Sequence, residues 1–187
     1  GGPRYTFEPG KAAALLKEAG IAPGTELQFA VMSPDDQKVG ELWRAELANL
    51  GVNLELERMT FDTMLDLVRN NPTAAPHVIP LMTWPDVISP YSLLYLQFHT
   101  QDPPIFNLAN YRSAAFDQLI DDGNVLSGRD RDEATAKFVA AQELLLDDAP
   151  AVFVKDMPNV HFISSDLRGY VDNPAYPKIV FWYDLRR

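Results

Sequence analysis

The sequence contains no cysteine among its 187 residues. This absence excludes disulfide bonds, thiol nucleophiles and cysteine-based zinc sites, and it is compatible with an exported bacterial protein as well as with a cytosolic one. The chain also lacks any apolar run close to the roughly 18 residues that a membrane-spanning helix needs. We therefore expect no membrane-spanning segment within these residues.

Basic residues are outnumbered: 16 lysines and arginines stand against 26 aspartates and glutamates, which gives a formal net charge of -10 at pH 7. The basic residues form no cluster in the sequence. Because such a charge repels a phosphate backbone, we expect no nucleic acid partner.

Sequence patterns that carry chemistry are also missing. The only histidines, His77, His99 and His161, lie far apart. There is no His-Glu-x-x-His, no glycine-rich phosphate loop and no Gly-x-Ser-x-Gly nucleophile motif. Acidic pairs such as Asp35-Asp36 fall at predicted helix ends, where carboxylates cap helices or remain in solvent. We predict no catalytic residue, no metal site and no cofactor, and we expect the protein not to be an enzyme.

The first residues, Gly1-Gly2-Pro3-Arg4, include neither an initiator methionine nor the basic and apolar regions of a signal peptide. We interpret the chain as part of a longer protein whose targeting segment lies outside it. A length of 187 residues is enough for one domain with a substantial core.

The first half of the sequence alternates between strand and helix patterns. Ala12, Leu15, Leu16 and Ala19 predict a helix with one buried stripe, ended by Gly20. Two period-two runs, at 27–31 and 52–56, flank a helix that Ser33 caps and whose stripe includes Trp43 as a core residue. This is a βαβ unit, for which we predict parallel strands. A further helix after Thr60 and a short strand, His77 to Met82, complete a β-α-β-α-β scaffold.

Helices dominate the second half. Ser113 caps one helix, which we predict to end at Gly123-Asn124, and Asp130 begins a longer helix with the stripe Ala134, Phe138, Ala141 and Leu145. Three apolar runs, at 151–154, 160–163 and 179–183, have the composition of strands separated by turns. The predicted fold class is therefore α/β, with a mixed sheet flanked by helices.

The stretch from Thr83 to Pro90 directly follows the predicted third strand. Ser89 and Pro90 predict the first residues of a helix over 91–98. Ligands of open α/β sheets bind at such strand-to-helix crevices, and the Trp84 ring beside the Asp86 carboxylate could hold an apolar body that carries a cationic group. The alternative is that Trp84 is a core residue and Asp86 caps a turn.

Short segments spread over nearly the whole chain resemble one family. They are Glu8-Pro9-x-Lys11, Leu15-Leu16-x-x-Ala19-Gly20, Leu47-x-x-Leu50-Gly51-Val52, Trp84 with Asp86 and Pro90, Gln97-Phe98-His99, Asn110-Tyr111, Phe116-Asp117-x-Leu119-Ile120, 144–150 and 166–170. In this order they resemble the C-terminal part of the family 5 extracellular solute-binding proteins, the oligopeptide, dipeptide and nickel receptors of bacterial ABC importers.

The resemblance implies the C-terminal lobe of a type II periplasmic-binding-protein-like fold, with residues 1–187 as a single α/β lobe and 170–187 as a return segment toward a first lobe outside this chain. It further implies that a small peptide or other solute is captured between the lobes and delivered to a membrane permease. The location would be periplasmic or extracellular, with lipid anchoring at the membrane surface left open.

The resemblance also assigns site residues. In peptide-binding members the Trp84 region reads Trp-x-Ala-Asp-Tyr-x-Asp-Pro, and its first Asp pairs with the ligand's α-amino group. This chain is one residue shorter there: Asp86 is the candidate amine ligand, and Ser89 replaces the Asp before Pro90. Trp84, Asp86 and Ser89 are therefore the candidate ligand-binding residues, and His99 matches a position that often carries histidine in peptide receptors.

Two other functions remain open from the sequence. The same lobe fold serves as the ligand-sensing domain of transcriptional regulators, and this chain shows no DNA-binding helix-turn-helix. A hydrolase that uses carboxylates on an α/β sheet would need two acids at one strand end, where the sequence places only Asp86.

Overall fold

The structure is a computed structural model that describes residues 5–83, 87–154, 156, 160–173 and 179–187. The chain divides into two compact units. Unit 1 comprises Gly1–Met82 with Gln101–Leu108, and unit 2 comprises Thr83–Thr100 with Ala109–Arg187. The backbone therefore passes between the units three times, after residues 82, 100 and 108.

Unit 1 contains the predicted βαβ arrangement. The strands β1 and β2 pair in parallel, from Glu26 opposite Asn53 to Val31 opposite Arg58. This pairing confirms the parallel prediction, and the helix between the strands provides the crossover that parallel neighbours require. The elements are α1 (Pro9–Glu18), β1 (Glu26–Val31), α2 (Pro34–Asn49), β2 (Asn53–Arg58) and α3 (Phe61–Asn70), followed by a 3₁₀ turn at Pro72–Ala74.

The core of unit 1 is centred on β1. Phe29, Val31 and Leu54 are buried, and Trp43 on α2 packs the edge of its ring against Phe29 with a centroid distance of 6.1 Å. The prediction that Trp43 is a core residue is confirmed. The buried stripe predicted for α1 is wrong, since no residue of that helix is buried. Leu16 faces a cavity of about 420 Å³ instead of a packed surface.

The predicted third strand is much shorter than expected. Only Val78 makes a bridge, parallel to Phe29, in which the Ala30 N–H donates to Val78 O at 2.9 Å and the Val78 N–H donates to Gln28 O at 3.0 Å. The prediction of a strand over His77 to Met82 is therefore wrong in extent. Pro76 and Pro80 flank the bridge and have no N–H to donate, so the ladder cannot continue on either side.

Unit 2 contains α4 (Pro90–Phe98), α5 (Ala114–Leu126), α6 (Arg131–Asp148) and a 3₁₀ turn at Trp182–Asp184. The stripe predicted on α6 is confirmed, because all its members are buried, together with Phe98, Phe116 and Ile120 of the other two helices. The caps are also confirmed: Ser113 Oγ accepts from the Phe116 N–H, and Asp130 accepts from the N–H groups of Asp132 and Glu133. The Tyr111 hydroxyl donates to Asp148 at 2.6 Å and ties the start of α5 to the end of α6.

Gly123 does not end α5, contrary to the prediction, and the helix continues to Leu126. The glycine is buried, and a Cβ atom placed on it would lie 2.9 Å from Cε1 of Phe138 on α6. Its function is therefore close approach of two helices. Glycine is tolerated within this helix because the Phe138 ring occupies the space that a side chain would fill.

The three strands predicted at 151–154, 160–163 and 179–183 are absent from the described residues, so this prediction is wrong. The described part of 151–187 has one isolated antiparallel bridge, between Arg168 and Arg186, and the 3₁₀ turn at Trp182–Asp184 overlaps the last run. Most side chains of these runs are exposed, and Phe162 is 98 % exposed. Apolar composition alone does not make a strand, because a strand needs a neighbour for its backbone groups. No helix in the described part of the chain has the length and apolar character to span a membrane.

We expect Gly123→Ala to destabilise the protein by about 1 kcal/mol or more, because overpacking against Phe138 exceeds the helix-propensity gain of alanine. Urea denaturation followed by circular dichroism measures the difference. Gly128→Ala is the matched control, since a Cβ at Gly128 meets no atom within 4 Å. Equal stability of the two variants would contradict close helix packing at Gly123.

Candidate functional site

The carboxyl edge of the parallel sheet in unit 1 is the place where α/β proteins bind ligands. β1 ends at Val31 and β2 ends at Arg58, directly opposite each other. The Met59 N–H donates to Val31 O at 3.1 Å, which keeps the two chains together one residue beyond the strands. The residues that follow both strands are thereby held next to the start of α2.

A cavity of about 470 Å³ opens at this edge. Its volume falls within the range of about 300–1,000 Å³ that is typical of small-molecule sites. Half-buried Met32 and Met59 give it an apolar wall, and Lys38 and Arg58 contribute positive charge. The full lining is Val31, Met32, Ser33, Pro34, Gln37, Lys38, Arg58 and Met59.

The turn between β1 and α2 is fixed by hydrogen bonds that run in both directions. Ser33 Oγ accepts from the Asp36 N–H at 3.1 Å, and Asp36 Oδ2 accepts from the Met32 N–H at 3.1 Å. This reciprocal capping satisfies backbone donors on both sides of the helix start. The rim of the cavity is therefore preorganised by its own backbone contacts.

The two cations at the cavity are weakly engaged by the protein. Lys38 Nζ lies 3.0 Å from Asp35 Oδ1, but the side chains are 75 % and 86 % exposed, so this pair contributes little. Arg58 Nη2 makes a long hydrogen bond of 3.4 Å to Gln37 Oε1. A planar guanidinium held this loosely can turn toward a carboxylate or phosphate and bind it with two hydrogen bonds. The cavity is thus suited to an anionic group attached to an apolar body.

The sequence-predicted site residues are only partly visible. Trp84 and Asp86 lie outside the described residues. Ser89 is half-buried at the N-cap position of α4, with Pro90 as the first helical residue, which confirms the predicted helix start. The Ser89 side chain makes no capping hydrogen bond, whereas its N–H donates to Val87 O at 2.7 Å. The Ser89 hydroxyl is therefore not used to start the helix.

His99 sits at the end of α4, inside a group of rings and carboxylates in unit 2. Its ring packs at a tilt against the Tyr95 ring, with a centroid distance of 4.6 Å. Its Nδ1 lies 2.8 Å from Thr100 O, and its Nε2 lies 3.5 Å from Asp121 Oδ2. Asp117 Oδ1 accepts from the Thr100 N–H at 3.0 Å. These contacts join the end of α4 to α5, which is a structural role.

The hydroxyl of Tyr91, on the same helix, is also affected by this carboxylate group. Burial raises the pKa of Tyr91, and the negative charge of Asp121 raises it further. Both causes disfavour the phenolate, so Tyr91 stays protonated at neutral pH.

In the part of the chain that the structure describes, no three histidine, aspartate or glutamate side chains come together as a metal site.

Sequence reasoning missed the cations at the cavity. Arg58 is the last residue of an alternating strand pattern, in which charged residues at exposed positions are common. The sequence around it therefore does not indicate a binding residue. The available signal was the end of β2 in a predicted βαβ unit, since the carboxyl ends of both strands share one edge. Arg58 and Lys38 could have been grouped on that basis.

Comparison with known proteins gives relatives over most of this chain, although no protein-family model matches it. The chain is 24 % identical over 180 residues to the probable D,D-dipeptide-binding periplasmic protein DdpA of Escherichia coli K12, covering 94 % of this chain and 34 % of that protein. The chain thus spans about a third of the length of the curated relatives it matches.

Solved structures of similar proteins share the fold. The periplasmic binding protein DppA of Helicobacter pylori, in complex with the peptide STSA, matches with a TM-score of 0.70 and 25 % identity, covering 79 % of this chain and 28 % of that one. The dipeptide-binding protein of Pseudoalteromonas sp. SM9913, in complex with Met-Leu, matches with a TM-score of 0.73 and 20 % identity, covering 97 % and 36 %. These likenesses confirm the predicted α/β fold of periplasmic binding proteins and the resemblance to their C-terminal part.

We expect Ser33→Ala to destabilise the protein by about 1 kcal/mol, because the capping bond to the Asp36 N–H is lost. Ser89→Ala is the matched control: it also alters an N-cap residue, but one whose side chain makes no capping bond. Its effect should stay below about 0.5 kcal/mol. Chemical denaturation of both variants measures the difference, and a larger loss for Ser89→Ala than for Ser33→Ala would contradict the assigned caps.

Proposed function

We propose that this chain, which resembles the C-terminal part of bacterial peptide-binding receptors, is the C-terminal lobe of the substrate-binding component of an ABC importer. The proposed receptor captures a small peptide between two lobes that close like a hinge and delivers it to a membrane permease. The observation that carries the proposal is agreement of fold and sequence with peptide-binding periplasmic proteins over most of this chain. The proposed location is the periplasm or the cell exterior, free or lipid-anchored.

A first lobe is the second proposed partner, and residues 170–187 would form the return segment toward it. Support comes from apolar side chains that the described part of this segment leaves in solvent. Trp182 is 75 % exposed and Tyr183 is 87 % exposed. Large aromatic side chains are typical of surfaces that become buried against a partner.

For the ligand's amino end we propose Asp86, with Trp84 and Ser89 as neighbouring ligand contacts. The motif of the peptide receptors supports this assignment. An ammonium group paired with a carboxylate in an enclosed cleft forms a strong, charge-assisted hydrogen bond.

For an anionic group of the ligand we propose the cavity at the ends of β1 and β2. Arg58 and Lys38 supply its positive charge, and Met32 and Met59 supply its apolar wall. The terminal carboxylate of a peptide has the required charge. Methionine side chains adapt their shape readily, so such a wall accepts different peptide side chains.

In the full-length protein, we expect Asp86→Asn to weaken binding of a dipeptide with a free α-amine by roughly ten- to a hundred-fold, since charge-assisted hydrogen bonds contribute about 1.5–3 kcal/mol. The N-acetylated form of the same peptide is the control, and its affinity should change little. Isothermal titration calorimetry measures both. Equal losses for the two ligands would refute the role of Asp86 as the amine partner.

Arg58→Gln should weaken a peptide with a free terminal carboxylate about ten-fold, but not its C-terminal amide, because only the carboxylate needs the guanidinium. Arg44→Gln makes the same change in charge on an exposed arginine of α2 that does not line the cavity. It should leave both affinities unchanged. If the Arg58 and Arg44 variants behave alike, the cavity does not bind the carboxylate.

A further inference from the structure

Residues Gln101–Leu108, here called the strap, belong to unit 1 although both flanking segments belong to unit 2. The chain therefore leaves unit 2 after Thr100, packs against unit 1 for the length of the strap, and returns at Ala109. Within the strap, Pro104 and Asn107 are buried, and Asn107 is only 2 % exposed. Such a short segment needs a specific attachment to remain in place.

The strap cannot be attached as a strand. Pro103 and Pro104 have no N–H groups, which removes two adjacent ladder donors. The Ile105 N–H is used inside the strap, where it donates to Gln101 Oε1 at 2.7 Å. The carbonyl oxygens of Pro104 and Ile105 remain available as acceptors for donors from elsewhere in unit 1.

Arg69 provides those donors. It lies in the last turn of α3 and is half-buried. Its Nε donates to Pro104 O at 3.0 Å, and its Nη2 donates to Ile105 O at 2.9 Å. A guanidinium presents two N–H groups in a rigid plane, so it can bind two successive carbonyl oxygens at once, which the single ammonium of lysine cannot match.

We propose that Arg69 is the positioning residue that fastens the strap to unit 1, and that the strap is a segment able to open locally when this attachment is lost. The backbone at both ends of the strap leads into unit 2, so the strap has no covalent continuity with the rest of unit 1. The two hydrogen bonds from Arg69, together with the burial of Pro104 and Asn107, thus hold the segment in place. This proposal is independent of ligand identity and of the peptide-receptor function.

Hydrogen exchange measured by mass spectrometry tests the proposal in the full-length protein. Arg69→Met keeps an unbranched apolar stem and removes both donors. We expect peptides covering 101–108 to exchange about ten-fold faster or more, because a locally open segment loses the protection of its amides. Peptides from α6, in unit 2, should be unchanged. Arg44→Met removes the same charge from an exposed site of unit 1 and should leave the strap as in the wild type.

The Arg69→Lys variant distinguishes loss of the strap attachment from a general loss of stability. It keeps the charge but loses the two-carbonyl geometry, and we expect an intermediate increase confined to the strap. If Arg69→Met accelerates exchange throughout the protein, the Arg69→Lys variant provides the test. An increase in the Arg69→Lys variant that is confined to 101–108 supports the proposal. Wild-type exchange of the strap in either Arg69 variant would overturn it.

Discussion

The parallel pairing of β1 with β2 is the constraint on which the architecture of unit 1 depends. Parallel neighbours cannot be joined by a tight turn, so the chain must cross over through α2 and bring its apolar face onto β1. The same pairing sends both strands toward one edge. There it sets Val31 opposite Arg58 and places the capped turn of α2 beside Met59. The cavity is a consequence of this register, since a shift by one residue would turn Arg58 to the other face of the sheet.

Local chemistry made much of the fold predictable from the sequence. The caps at Ser33, Ser113 and Asp130 depend on a side-chain oxygen and backbone N–H groups two or three residues away, so short segments are sufficient to find them. The stripe of α6 follows from helical periodicity alone. Gly123 was misread because its role is set by a distant residue: only the approach of Phe138 explains a glycine within a helix. The strand predictions for the apolar runs after residue 150 failed for a related reason. A strand forms only where a neighbouring segment pairs with its backbone groups.

The same distinction between local and distant signals applies to the candidate site. The start of α4 was predictable, because Ser89-Pro90 is a local signal. The assignment of Trp84 and Asp86, which lie outside the described residues, rests on the family motif. The cavity was not predictable from local pattern. Arg58 occupies an exposed position in an alternating strand, where a charged side chain is expected and conveys nothing. Its proximity to Lys38 and Gln37 follows from the crossover, which joins residues about 20 positions apart in sequence.

The exposure of Lys38 and Arg58 limits how strongly they attract an anion. In high dielectric, a lysine that is 75 % exposed attracts an anion only weakly, and salt screens the attraction further. The same pair of charges interacts several-fold more strongly once a second wall excludes water. A surface with loosely held cations therefore gains affinity mainly on enclosure. In the proposed two-lobed receptor, this dependence would couple binding to closure, because the charges of the ligand would be best satisfied in the closed state.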